Sequence, residues 1–433
     1  MTPQSSFMVL APVDPRREAD LRRLLASMND APGRVKAGNS LIPFDQFEML
    51  HVARLFILDD KTLDDVRVYG LRRRTYPLYL AFLGNLDGDA HAFLEELARR
   101  SADGLRAIFS CCEGFTSDVD LVGWMKQHSR APIAVYVNWR GRTVRRVREE
   151  AALRDALEQH ADSHAAALDG LPAREIHATL KRLIDADVAA GRLTLSADSS
   201  TPLAWRMGNL LHLIGFPLLL LLASPALVVI AAIFLIRLRA LERTDPEVCP
   251  RVDETYSGGL ALIEDHDVTN QFTALGSLKP GIVRLWTVTL VLWIVDYAAR
   301  HLFTHGRLAR IRTIHFARWV FLDDKRRVVF CSDYDGSVKS YMDDFINKVG
   351  FGLNVVFSNG VGYPRTNWLV LDGCADERKY EEFLRRHTLP TEVWYKAYPG
   401  LTAVDLERNG RIRHGLESAS ISDRAAGEWV ALL

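Results

Sequence analysis

His51 to Asp60 reads HVARLFILDD, and His315 to Asp324 reads HFARWVFLDD. Six of the ten positions agree within one chain of 433 residues, and a repeat of this kind fixes the number of folding units before any local reading does. Working outward, the agreement continues in order: Leu86-Asp87-Gly88 against Tyr334-Asp335-Gly336, GLRAIFS from Gly104 against GLNVVFS from Gly352, and Glu113-Gly114-Phe115 against Val361-Gly362-Tyr363. Last, His128 with VYVNWRGRT meets His387 with WYKAYPGLT. The second copy reads as strands over 316–322 and 328–333 joined at Asp323-Asp324-Lys325, then a helix over 337–349. Strands near 353–358 and 367–372, a helix over 375–387 and a last strand over 391–398 complete it. Stripped of its leading strand this order is βαββαβ, the ferredoxin-like unit. Such a unit leaves one sheet face bare, so the expected fold class is α+β, an internal duplication whose two units pack face to face as a dimeric α+β barrel. The first copy lacks roughly 11 residues where its third core strand is expected, so it reads as degraded and any chemistry is assigned to the second.

Between the copies, Leu210 to Ile236 carries no Asp, Glu, Lys or Arg, and Arg237, Arg239 and Arg243 follow it. As a helix that stretch is about 40 Å long, enough to enter or cross a hydrocarbon core of about 30 Å, with basic flanks on the cytoplasmic side. Leu285 to Val295 is shorter, and Trp286, Leu290, Trp293 and Tyr297 make one aromatic stripe at helical spacing, suited to a membrane interface, to a short second span or to an amphipathic helix packed on a soluble domain. Two copies that pair must share one side of the bilayer, so either the second stretch crosses back or the first returns near Ser224-Pro225 as a monotopic hairpin. The expected divisions are a first unit at 1–143, a helical linker at 144–205, a membrane-embedded segment at 206–243, a loop and interfacial helix at 244–312, a second unit at 313–416 and a tail at 417–433.

The 54 basic and 54 acidic residues cancel, which leaves no electrostatic footprint for nucleic acid. Five scattered cysteines form no CxxC pair and no zinc spacing, so no metal is expected, and reduced domains facing the cytoplasm at an inner membrane fit best. No Gly-rich phosphate loop, HExxH or GxSxG occurs.

Val268-Thr269-Asn270-Gln271, Lys279-Pro280-Gly281, Ile314 to Trp319, Tyr334 to Ser337, Ser358-Asn359 and Val393-Trp394-Tyr395 together resemble a family of uncharacterised bacterial membrane-associated proteins. More distantly, the paired units resemble the dimeric α+β barrel superfamily that includes the dye-decolourising peroxidases and chlorite dismutases. Gly84-Asn85-Leu86-Asp87-Gly88 satisfies the peroxidase GxxDG pattern, which implies haem with the Asp on its distal side, whereas the second copy has Ser332 in place of the first Gly. No histidine matches the peroxidase proximal position. Asp-Gly between a strand and a helix is also ordinary turn and N-cap chemistry.

The candidate catalytic residues are Asp335, His315 and Arg318, the last two recurring as His51 and Arg54. Three apart on a strand, His315 and Arg318 point to opposite faces unless a bulge intervenes, and both also suit strand anchoring. Asn359, Tyr363 and Arg365 share a loop, and Lys396 and Tyr398 share a strand face; these five are the candidate ligand-binding residues. The expected function is a membrane-anchored barrel that binds a small hydrophobic or anionic ligand, with a redox or lipid-related reaction. The alternatives are a haem-dependent peroxidase-type enzyme and a scaffold that holds a partner oxidoreductase at the bilayer.

Overall fold

The computed structural model describes all residues but 73, 198, 248–249 and 419–420, with residue 63 described by its backbone alone. The chain mixes helices with antiparallel sheets. The elements that build it are β1 (Gln4–Pro12), β2 (Leu50–Leu58), β3 (Tyr79–Asp87), α1 (Ala90–Arg100), β4 (Ala134–Val137), α2 (Val144–Ser163) and α3 (Leu203–Thr244). They continue with β5 (Thr269–Ser277), α4 (Ile282–His301), β6 (Ile314–Leu322), β7 (Arg327–Asp335), α5 (Val338–Phe357), α6 (Glu377–His387), β8 (Val393–Lys396) and α7 (Ala403–Glu417).

Two four-stranded sheets form the centre, in the orders β1-β3-β2-β8 and β4-β6-β7-β5. Their registers correspond pair for pair: Gln4 opposite Asp87 answers to Thr269 opposite Asp335, and Trp394 opposite Arg54 answers to Val135 opposite Arg318. Each sheet takes its short edge strand from the other half of the chain. Every residue of β2 is buried, because one face meets helices and the other meets the second sheet. Leu55 and Ile57 join the helix-side core, while Phe56 and Leu58 pack with Val320, Leu322 and Val329 between the sheets. Strands buried on both faces read as near-continuous apolar runs, which is why FIL and WVF stand out in the sequence.

The strands expected near 353–358 and 367–372 are not sheet strands. Residues 353–357 close α5, whose backbone leaves helical angles at Val349 (φ −141°, ψ 27°), and Thr366–Asn367 pairs only with Leu371–Asp372. Valines and phenylalanines suit a strand by propensity, but here Val349, Leu353, Val356 and Phe357 follow helical spacing and pack onto the second sheet. The strands that complete the sheets are β1 and β5, and β5 lies within the 244–312 stretch expected as loop and interfacial helix. The first half is not degraded: it contributes β1, β2, β3 and β4 in full and has a large core of its own.

Among the described residues, two helices, α3 and α4, are long and apolar enough to cross a membrane. The central window of α3 has none of its residues buried in the protein. α4 extends past Arg284 and Asp296, which flank Leu285–Val295, because Arg284 is buried against Asp245 at 2.6 Å and Asp296 accepts the Val135 N–H at 3.1 Å. Trp286, Leu290 and Trp293 of the aromatic stripe are exposed.

Candidate functional site

The layer between the sheets starts from one irregularity in each. β2 shifts register between Leu50 and Val52, and β6 between Ile314 and Phe316. The bulge turns His51 and His315 to the same side as Arg54 and Arg318, the one condition under which residues three apart share a layer. His315 Nε2 lies 2.6 Å from Asp335 Oδ1, and His51 Nε2 lies 3.0 Å from Asp87 Oδ1. The second oxygen of each carboxylate accepts a backbone N–H at the start of a helix, Ala403 of α7 at 2.6 Å and Val144 of α2 at 2.8 Å. Carboxylates are favoured at helix N-termini, so each His–Asp pair ties the helix after the exchanged strand back to the sheet. Gly88 and Gly336 follow with φ of 88° and 87°, a left-handed turn that accounts for the Asp-Gly identity in both copies. Asp89 and Ser337 then cap α1 and α5 through Ala92 N and Ser340 N.

Lys396 and Tyr398 join this cluster. The Lys396 ammonium donates to Thr269 Oγ1 and, at 2.5 Å, to the Leu401 carbonyl, while the Tyr398 hydroxyl meets His51 Nδ1 at 3.1 Å. Burial keeps the His315 imidazole neutral, against the pull of Asp335. Burial alone would raise the Asp335 carboxyl, but His315, the Thr269 hydroxyl and the Ala403 N–H outweigh it and hold the carboxyl below its ordinary value. The pair is therefore a neutral imidazole donating Nε2–H to a carboxylate. With both oxygens occupied and every member buried, it is built to hold elements in place rather than to exchange protons with a substrate.

Burial pushes Lys396 down to about 8, against its nearby carboxylates. Its unfolded value is higher, so between about pH 8 and 10.4 the unfolded chain binds more protons than the folded one, and stability from this group rises with pH. Thermal melts should show that rise, and Lys396→Met should flatten it. An equally steep rise in the variant would show that Lys396 does not titrate as placed.

Arg318 is separate from that cluster. Its guanidinium crosses to the first sheet and donates to Phe7 O at 2.8 Å, Gly84 O at 3.0 Å and Asn85 Oδ1. Arg54 crosses the other way to Phe272 O at 3.0 Å, Ser332 O at 3.0 Å and the Asp333 carboxylate, and stacks on Trp394. Burial lowers both guanidiniums, Arg318 to about 10. The remaining three predicted residues also part company. Asn359 accepts from Arg284 at 3.4 Å and Arg365 donates to the Asp245 carbonyl at 2.8 Å, both beside the Asp245–Lys279–Arg284 ion cluster. Tyr363 points elsewhere and donates to Asn354 Oδ1 at 2.8 Å. The eight residues thus fall in four places and form no single pocket.

What sequence reasoning missed is an apolar cleft between the second sheet and α4, α5 and α6. Phe272, Trp319, Val288, Leu292, Val356 and Phe383 are among its walls, and its open volume is about 60 Å³. His387 sits in the wall with Nδ1 bonded to the Phe383 carbonyl at 2.8 Å and Nε2 buried without a partner among the described residues. A second groove adjoins it, lined by Arg72, Arg74, Lys325, Arg326 and the first residues of α4, and Leu278 lines both. No local motif marks either space because the walls come from several distant elements.

Haem does not fit these residues. The Asp of the GxxDG pattern has both oxygens occupied by His51 and Val144, and the one orphaned imidazole nitrogen in the cleft wall, that of His387, faces about 60 Å³, far below the roughly 300–1,000 Å³ of ordinary cofactor sites. Comparison of the chain with family models, curated proteins and solved structures finds no match.

Proposed function

We propose that this is a membrane-associated protein, held at the cytoplasmic face of an inner membrane, that binds a single-chain anionic amphiphile beside the second sheet. The tail would enter the cleft beside α4 and the head would rest in the cationic groove. The observation that carries this is the adjacency of the two spaces at Leu278, next to an apolar helix with exposed Ile282 and Trp286. The narrow apolar slot of about 60 Å³ admits the end of a hydrocarbon chain, and five cationic side chains, Lys279 included, with Asp324 as the carboxylate among them suit an acidic head. Arg237, Arg239 and Arg243 in the last turns of α3 and buried free thiols support the cytoplasmic side. On this reading the two halves are duplicated ferredoxin-like units that exchange their last strands, which the matching registers and bulges support.

The test is titration of the full chain with cis-parinaric acid and with its alcohol analogue. Val356→Trp should weaken both by tenfold or more by filling the slot, and Arg72→Glu with Arg74→Glu should weaken only the acid. Unchanged affinity in Val356→Trp would remove the cleft as the site.

A further inference from the structure

The order of elements fixes how the apolar helices can meet a bilayer. β4 precedes α3, β5 lies between α3 and α4, and β6 follows α4, yet all three strands belong to one sheet. A helix that crossed the membrane once would put its two flanking strands on opposite sides and tear that sheet apart. Neither α3 nor α4 can therefore be a span, although each is long enough. α4 is further committed to the protein through Val288 and Leu292, which are buried in the second core.

α3 is also held at both ends. Near its start, His212 Nδ1 meets His301 Nε2 at 2.8 Å, Asn209 accepts from Arg300 at 2.8 Å, and the Tyr297 hydroxyl donates to the Leu213 carbonyl at 3.0 Å. At its far end the Glu242 carboxylate accepts from Thr366 Oγ1 at 2.8 Å and from the Trp368 and Leu369 N–H groups at 2.9 Å. Asp245, just beyond, binds Lys279 at 2.8 Å and Arg284 at 2.6 Å. Arg284 and His301 bracket about 25 Å of α4, whereas a straight helix from His212 to Asp245 would cover about 50 Å. α3 runs as one unbroken helix whose apolar window is not packed on the protein, so it bows away from α4 between its anchorages, and Pro217 and Pro225, which remove backbone donors, are where the bend costs least.

We infer that α3 is a re-entrant arch that enters one leaflet from the same side on which it leaves, making the protein monotopic; this rests on the membrane association proposed above. The occupant of its exposed face is lipid hydrocarbon. Leu218, Leu219, Leu221, Leu222, Val228 and Ile236 are at least half exposed, and the uncharged stretch is bounded by Arg206 and Arg237, cations placed to meet anionic head groups. Each arm of about 13 residues rises about 20 Å, enough for one leaflet of about 15 Å and too little for a core of about 30 Å.

The full chain, expressed in bacterial cells in a Cys249→Ser background, tests this with Ser200→Cys, Thr255→Cys and Arg307→Cys, which lie before α3, between the helices and after α4. An impermeant maleimide should label all three in inverted membrane vesicles at least tenfold more than in right-side-out vesicles. Leu222→Cys carrying a fluorophore should be quenched by lipid-borne quenchers and stay closed to the aqueous reagent from either side. Opposite-side labelling of Thr255→Cys would overturn the arch and leave membrane association standing. Aqueous access to Leu222→Cys in membrane-bound protein would show that another surface than lipid covers α3. Protein that fails to sediment with either vesicle preparation would remove the membrane reading and the arch together.

Discussion

Asp333→Asn should destabilise the protein by about 3–5 kcal/mol, the cost of leaving a buried charge without its partner. Two guanidiniums lie in the inter-sheet layer, and Asp333 is the one carboxylate that either of them touches among the described residues. The position that answers to Asp333 in the first sheet is Asn85, opposite Val52 as Asp333 is opposite Phe316. Among the described residues Arg318 therefore has only neutral acceptors, and Asn85 Nδ2 is itself buried with no partner. Asn85→Asp should stabilise the fold, because it replaces a wasted donor by an acceptor with the missing charge. The double variant Asp333→Asn with Asn85→Asp moves the pair from one arginine to the other and should recover much of the loss. Urea midpoints of the three variants decide this. A loss below about 1 kcal/mol for Asp333→Asn would mean that the layer tolerates two bare cations, contrary to what burial demands.

Leu222→Asp combined with Val228→Asp should abolish membrane binding while leaving the fold unchanged. Each carboxylate carried into hydrocarbon costs about 2.5–3.5 kcal/mol, so the pair should lower partitioning by more than a thousandfold. Neither side chain supports the folded body, since Leu222 is 73% and Val228 69% exposed. Flotation with vesicles should fall to background with the thermal midpoint held. Flotation at the original level would show that α3 does not insert.

The sequence disclosed most where two matching stretches carry the same physical task. His51 and His315, Arg54 and Arg318, and the Asp-Gly pairs stand out because bulge, crossing cation and left-handed turn admit few residue types. The leading strands were illegible for the opposite reason: in β1 and β5 the backbone pairing is alike, but the faces ask only for apolar or small side chains, and FMVLAP shares little with FTALGS. The exchange of β4 and β8 could not be read either, since a four-residue edge strand carries no record of which sheet it joins. The candidate residues read as catalytic or ligand-binding groups, with strand anchoring as the other reading of His315 and Arg318. His315 and Asp335 look like an acid–base pair in one dimension, and only the N–H of Ala403 arriving at the second oxygen reveals a helix anchor.

The exchanged strands also set a timetable for the ribosome. β2 emerges early with an unpaired edge, and β8, which covers it, is made more than 300 residues later. Until then the nascent chain presents an apolar strand edge, the kind of surface that recruits a wrong neighbour. Closure of the first sheet must wait for nearly the whole polypeptide, so synthesis ends with a late, long-range step, and such non-local pairing folds slowly. A cell making this protein has to shelter an incomplete sheet for most of its translation.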